Sequence, residues 1–494
     1  MSRLRILAVS VLTVAMLATS IGPAAAIGLG ISISLPGVDL AVDVDGLDIS
    51  LGLDLSAEEL AWGGGGPTAT MAHVAEAIGA DDLHTNGITG QGVGIAIIDT
   101  GVADVTGLED TLRGPDLSLD APVDGHYGVD DYGHGTHLAG LIASDRPDAR
   151  GIAPDASLLS LKVGAGNGAV DVSQTVAAID WVVQHRDEHD IRVLVLAYGT
   201  DGTQDPQLDP LSHAVEVAWD HGIAVVVAVG NHGESSDPVV NPATNPNVIA
   251  VGAVDTRATT TTLDDRVPAF SAPGTPERRP DVFAPGVGIE SLGAPGGYLD
   301  QTYPAARRDG QLFRGNGSSQ AAAIVGGAAA LLLQARPDLS PDDVKAVLAR
   351  SATRLDNMLT GQGVIDLPRA VATPAVLTGQ DHPASTGTGS LEGARGSTHL
   401  GEADDLLAGE VDVFGQPFDS SAWAQAATAG TSWQDGVWNG TRWAGTDWAD
   451  GRLAAVPWDG STWNGWSWHG WSWHGWSWHG WSWHGWSWHA QGWE

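Results

Sequence analysis

From residue 71 to residue 373 short apolar runs alternate with helix-forming stretches, and this alternation leaves the chain few architectures. Residues 93–98, 158–163, 193–197, 223–229 and 248–254 are largely aliphatic, the pattern of strands buried on both faces. Helical stretches at 136–143, 172–185, 210–220, 319–334 and 341–351 interleave with them. Such a succession predicts an α/β domain over 71–373: one open, mostly parallel sheet with helices on both faces.

The flanks are built differently. Residues 1–26 read as a secretory signal, with Arg3 and Arg5 ahead of an apolar run at 6–17 and a small-residue cleavage site at Ala24-Ala25-Ala26. The run is shorter than the ~20 residues a membrane span needs. Residues 27–70 alternate with period two: Ile31, Ile33 and Leu35 precede Pro36-Gly37, then Val38, Leu40 and Val42 precede Asp45-Gly46, then Ile49, Leu51 and Leu53 follow. That predicts a three-stranded β meander, serving as a pro-segment or a permanent N-terminal extension. Gly63–Gly66 read as a hinge. Residues 374–420, rich in Gly, Thr, Ser and acid, read as a linker.

Beyond it, residues 421–494 carry 18 of the chain's 21 tryptophans. Tryptophan recurs every five residues at 433, 438, 443 and 448, skips Leu453, and resumes from 458 to 493. The unit Trp-Ser-Trp-His-Gly closes the chain five times over, with Ala490 in place of the last glycine. A β-solenoid, or a low-complexity tail without fixed structure, is the expectation. Its indoles suit a cell-surface glycan or another flat surface, its histidines suit a metal ion, and self-association needs no ligand at all.

Composition removes several partners. With no cysteine the chain has neither disulfides nor thiolate metal sites. A net charge of −37, with lysine only at 162 and 345, argues against nucleic acid and anionic membranes. A secreted monomer, in solution or attached to a surface, is expected.

Three stretches carry the chemistry. Asp99-Thr100-Gly101 ends the strand at 93–98, where ligands of open α/β sheets bind. His134-Gly135-Thr136-His137 opens a helix, and Gly317-Ser318-Ser319 opens another. An acid, a histidine and a serine, each beside glycine, suit nucleophilic acyl transfer. Each has a plainer reading: a turn aspartate, a pair of helix-capping serines, and for Asn231 after the strand at 223–229 a left-handed turn residue. The two histidines stand three apart with no glutamate between them, which does not match a zinc helix, so no metal is expected there. His137, inside the first turn, is expected to be packed and hydrogen-bonded.

Together these stretches resemble the subtilisin-like serine peptidase family, across roughly residues 75–373. Connecting phrases agree in order: Gly151-Ile-Ala-Pro154, the run 242–254, and Phe283-Ala-Pro-Gly286. The resemblance implies a serine endopeptidase acting on proteins or peptides. In it Ser319 is the nucleophile, His134 the base and then acid, Asp99 its orienting group and Asn231 an oxyanion donor. Ala197, Tyr198, Gly199 and Gly230 would line the substrate cleft, with Tyr198 projecting into it. No cofactor is required. Calcium-binding loops are common in the family, but 144–150 shows no oxygen-ligand set, which leaves a structural calcium open only elsewhere. Gln320 and Ala323 replace the family's methionine and proline beside the nucleophile, and an arginine-bearing loop (Arg307, Arg308, Arg314) precedes it. That loop reads as surface, with selection of acidic substrates as the alternative. A catalytically silent scaffold and a peptidase dedicated to one co-exported partner are the rival functions.

Overall fold

The computed structural model describes the backbone of residues 31–35, 38–43 and 48–53. It further describes residues 61–62 and 67–443, apart from 122, 124, 234–238, 356–362, 376–379 and 403–404. The chain divides into two compact units, Met1–Leu60 and Ala61–Glu494. The first contains an antiparallel meander of β1 (Ile31–Leu35), β2 (Val38–Asp43) and β3 (Asp48–Leu53). Its register sets Ile33 opposite Leu40 and Leu40 opposite Leu51, so the alternating apolar positions align in rows across the strands.

The second unit opens with α1 (Met71–Ile78) and α2 (Ala80–Thr85), joined through Gly79 in a left-handed conformation. There follow β4 (Gly94–Asp99), β5 (Leu112–Asp116), α3 (His134–Ala143), β6 (Ser157–Lys162), α4 (Val172–His185) and β7 (Ile191–Leu196). The alternation continues through α5 (Pro210–Asp220), β8 (Ala224–Ala228), β9 (Ile249–Val254), β10 (Val282–Pro285) and β11 (Ile289–Leu292). After α6 (Tyr298–Thr302) and β12 (Arg307–Arg308) come β13 (Leu312–Gly315), α7 (Ser318–Ala335) and α8 (Pro341–Ser351). Short strands β14 (Thr353–Arg354) and β15 (Gly363–Val364) and helix α9 (Leu367–Ala372) complete the domain.

Nine strands form one sheet in the order β14-β15-β10-β9-β8-β7-β4-β6-β5, antiparallel only at the β14 edge. The expected α/β fold is therefore present. β4 lies between β6 and β7, so the connections that leave it diverge, and the carboxyl end of β4 is where a crevice forms. Helix ends follow local rules: Asp171 and Gln174 form a capping box on α4, as Ser340 and Asp343 do on α8 with Pro341 at its first position.

α3 and α7 pack together on one face and α4 with α5 on the other. α7 is long and apolar enough to cross a membrane, yet it is the core helix here. Gly326 lies on Val195 and Gly327 on Ile152 with no room for a Cβ at either, which lets the helix lie close against its neighbours. Leu331, Leu332 and Leu333 are buried along it, each worth about 1.5–3 kcal/mol of transfer free energy.

Residues 380–443 were expected to hold a linker up to 420, but they fold onto this domain. α10 (Leu391–Arg395) buries Arg395 against Asp171 at 2.6 Å. Thr200 Oγ1 donates to the Ala394 carbonyl at 2.6 Å, and Ser390 N donates to Gln204 Oε1 at 2.8 Å. Low apolarity and abundant glycine foretell irregular backbone, not loose backbone: here scattered side-chain and backbone partners, several from the peptidase domain, satisfy its polar groups.

A short pair, β16 (Gly401–Glu402) and β17 (Asp405–Leu406), leads to α11 (Ser420–Thr428). Then comes a small meander of β18 (Trp433–Gln434), β19 (Val437–Trp438) and β20 (Thr441–Arg442). Its turns, Asp435-Gly436 and Asn439-Gly440, have φ of 49°, 77°, 44° and 76°, the two-residue geometry that suits twisted strands. Trp433 faces Trp438, and Trp443 lies two residues past Thr441, which also faces Trp438. Five-residue spacing across such turns thus keeps every indole on one side. That side is turned inward: Trp433, Trp438 and Trp443 are 3, 0 and 4% exposed. Trp423 and Trp438 both donate their indole N–H to Asp180 Oδ2, at 2.8 and 2.7 Å. Burial pushes the Asp180 carboxyl up to about 6 despite these bonds. The signal segment and the pentads from 448 to 493 lie outside the described residues.

Candidate active site

Asp99 ends β4, fully buried. Its Oδ1 accepts from Thr100 N at 2.8 Å, and both oxygens face His134 Nδ1, at 2.8 and 2.9 Å. With a carboxylate as partner, Nδ1 carries the proton, which leaves the Nε2 lone pair as the ring's basic position. His134 is the first residue of α3, entered through Gly133 at φ 114°. The neighbouring glycines have a steric reason: a Cβ on Gly135 would strike the Gly101 carbonyl. Only glycine lets the first turn of α3 lie against the loop that follows Asp99.

That approach is locked by Asp130, a buried residue the sequence reading passed over. It accepts from Thr100 Oγ1 (2.8 Å), Tyr132 N (3.1 Å), Gly133 N (2.7 Å), and Thr136 N and Oγ1 (2.8 and 2.6 Å). Gly135 N in turn donates to Thr100 Oγ1, and Ala103 N to Thr136 Oγ1. One carboxylate therefore joins the loop holding Asp99 to the turn holding His134. Burial raises its pKa, and the bonds from Thr136 and Gly133 act against that.

His137 is packed as expected. Its Nε2–H donates to the Phe313 carbonyl at 3.2 Å, and burial followed by the charge of His134 lowers its pKa to about 3, so it stays neutral.

α7 starts at Ser318 with Gly317 as its N-cap, and no side chain caps it. Ser318 Oγ instead accepts from Gly230 N at 3.1 Å, so it is no helix cap. Asn231 Oδ1 accepts from Ser318 N at 2.7 Å. This fixes the amide's orientation and leaves Nδ2 directed near Gly317, 3.1 Å from where a Cβ there would stand. Ser319 lies in the first turn of α7, where backbone N–H groups have no helical acceptor and the helix dipole is positive.

Ala197, Tyr198, Gly199 and Gly230 follow the ends of β7 and β8 and are buried. Tyr198, expected to project into a pocket, has its ring wholly inside the protein. Arg307 is paired with Asp300 and Arg308 donates to the Ala305 and Arg307 carbonyls, whereas Arg314, expected on a surface loop, is buried and donates to the Pro67 carbonyl. Asp120, His126 and Asp131 form the grouping of potential metal ligands among the described residues. Lys162 Nζ already stands 3.1 Å from Asp120 and 3.6 Å from Asp131.

Trp62, beside the two histidines, was not legible as a site residue, whereas Gln320 was marked by its place next to the serine. Trp62 sets its ring edge-on to His134 and His137, with centroids 6.0 and 5.4 Å apart. Gln320 is buried with neither amide atom paired among the described residues.

The sequence profile of the subtilase family matches residues 90–367. Serine protease AprX of Bacillus subtilis (strain 168) is 35% identical over 320 residues, covering 61% of this chain and 72% of that protein. Subtilisin DY of Bacillus licheniformis is 33% identical over 299 residues, covering 59% and 96%. Subtilisin E of Bacillus subtilis (strain 168) is 34% identical over 298 residues, covering 59% and 69%.

Proposed function

The chain belongs to the subtilase family as a subtilisin-like serine endopeptidase of protein or peptide substrates, and from that premise we propose how its residues divide the work. Ser319 Oγ attacks the scissile carbonyl while His134 Nε2 takes its proton, and Asp99 holds the imidazolium that forms. The oxyanion is received by the Ser319 N–H and Asn231 Nδ2. His134 returns the proton to the departing amine, and water then hydrolyses the acyl-serine by the same route reversed. Losing an asparagine of this kind costs about 10²–10³ in turnover, a value measured on subtilisin itself.

The observation that carries this reading is the double approach of Asp99 to His134 Nδ1, made within a shell that admits only glycine at 135. Export belongs to the same proposal and rests on the signal pattern of residues 1–26. So does a chemistry in which no step needs a cofactor; a structural calcium is a separate matter on which no step depends.

Fluorophosphonate labelling of the exported protein beside Ser319→Ala, with intact masses of both, tests it. Label on the wild type alone supports Ser319 as nucleophile. No label on a folded, fully processed chain would replace the enzyme with a silent scaffold.

A further inference from the structure

β7 ends at Leu196, paired with Ile98 of β4 and Val227 of β8, so the cleft-lining stretch 197–199 runs on past the ladder. It is held beyond that point at Thr200, which is 1% exposed. Thr200 N donates to the Asn241 carbonyl at 2.8 Å, and Asn241 N donates back to the Thr200 carbonyl at 3.1 Å. One residue earlier, Val240 N donates to the Val229 carbonyl at 3.2 Å, and Gly230 N donates to Ser318 Oγ at 3.1 Å. A continuous run of bonds therefore joins the wall at 197–199 to the wall at Gly230, to Asn231 beside it and to the serine turn.

Behind Thr200 stands the C-terminal segment 390–397. Thr200 Oγ1 donates to the Ala394 carbonyl at 2.6 Å. Asp201 accepts from Ser397 N at 2.8 Å and from Ser397 Oγ. Gln204 closes a ring with Ser390, its Nε2 donating to the carbonyl at 2.9 Å and its Oε1 accepting from N at 2.8 Å. The surfaces that meet are glycine against glycine. A Cβ on Gly202 would stand 2.6 Å from the Gly393 carbonyl oxygen, and one on Gly396 would strike Asp201 Oδ1. Both sides are thus cut away for an approach closer than side chains allow. The segment is in turn anchored to α4 by the buried pair of Arg395 and Asp171.

We propose that segment 390–397 braces the substrate cleft from behind, and that Thr200 is the positioning residue through which it holds the wall at 197–199. The inference rests on the reading of Ser319 as nucleophile and of Ala197, Tyr198, Gly199 and Gly230 as cleft lining. A peptide laid along an unsupported wall must order that wall as it binds, whereas a wall fixed beforehand spares that cost. The brace touches no reacting atom, so it acts on substrate binding and leaves the chemical step alone. The C-terminal segment is in this way a working part of the peptidase and not only a cover for its helices.

The test compares the full chain with Thr200→Val, Thr200→Ser and Gly202→Leu, each first checked for a cooperative melt. Thr200→Val keeps the shape and loses the bond to Ala394, Thr200→Ser keeps the hydroxyl, and Gly202→Leu pushes the segment away without touching Thr200. Steady-state kinetics are read on a peptide that extends several residues ahead of the scissile bond, beside labelling rates with a small fluorophosphonate. Thr200→Val and Gly202→Leu should raise KM about tenfold, the size of one net hydrogen bond, with kcat little changed. Their labelling rates should match the wild type, and Thr200→Ser should return KM to the wild-type value. Wild-type KM in folded Thr200→Val and Gly202→Leu would overturn the brace and leave the catalytic roles standing. A joint fall of kcat, labelling rate and melting temperature would also overturn it, since Thr200 would then serve the fold alone. A folded, fully processed wild type that takes no label would overturn the nucleophile reading itself.

Discussion

Asp130 gathers five hydrogen bonds on one buried carboxylate, and none of them touches a reacting atom. It is a positioning residue. Asp130→Asn replaces an acceptor by a donor facing Thr136 or Thr100, and a misplacement of about 1 Å near a reacting centre costs about 10²-fold. We expect kcat to fall by that order with KM little changed, read from steady-state kinetics on a peptide substrate. Asp99, His134, Ser319 and Asn231 stand out in the sequence as candidates because glycines beside them mark close approach. Asp130 does not, since Asp130 and Asp131 stand side by side in a polar loop and only the fold separates them. Trp62 was hidden by the glycine run after it, which reads as a hinge whatever its neighbour touches. His137 supplies a pH dependence at this scale. Its folded pKa, lowered to about 3, lies below the unfolded 6.5, so its stability contribution is complete above 6.5 and is lost as pH falls toward 3. Thermal melts across that window should decline for the wild type and decline less for His137→Gln, whose amide can still reach the Phe313 carbonyl.

Among the elements, the C-terminal residues grip α5, through His213 and Glu216, and α4, through two buried acids. Asp171 at its N-cap holds Arg395, and Asp180 in its third turn holds two indoles. Arg395→Met leaves Asp171 buried without its cation, and breaking such a pair costs about 3–5 kcal/mol. Denaturant unfolding should show a loss of that size. Asp180 behaves in the opposite sense to an ion-paired acid. Its folded pKa of about 6 exceeds the unfolded 3.8, so stability is fully present below 3.8 and is lost as pH rises through 6. Asp180→Asn keeps an oxygen for the indoles and removes the charge. Its melting temperature relative to wild type should therefore rise between pH 4 and pH 7, whereas Asp180→Leu, leaving both indole N–H groups unpaired, should be destabilised at each pH. The strands and helices of the domain were readable from period and burial. The seating of residues 380–443 was not, because Gly, Thr and Ser report what the backbone can do and not what it touches.

For the whole molecule, the peptidase fold does not end with α9. Arg395, Trp423 and Trp438 cover surfaces of α4 that would otherwise face water. A chain stopped at residue 379 should melt well below the full chain and bind a hydrophobic dye, both measurable on the purified proteins. Equal melting of the two would show that the C-terminal region is dispensable for the fold. Three of the pentad tryptophans, those at 433, 438 and 443, are committed to this internal role. The identical Trp-Ser-Trp-His-Gly units begin only at 466. Copy number there can drift by duplication or slippage of the coding repeat while every contact described up to Trp443 keeps its residues, so related chains should differ more in how many units they carry than in anything up to Trp443.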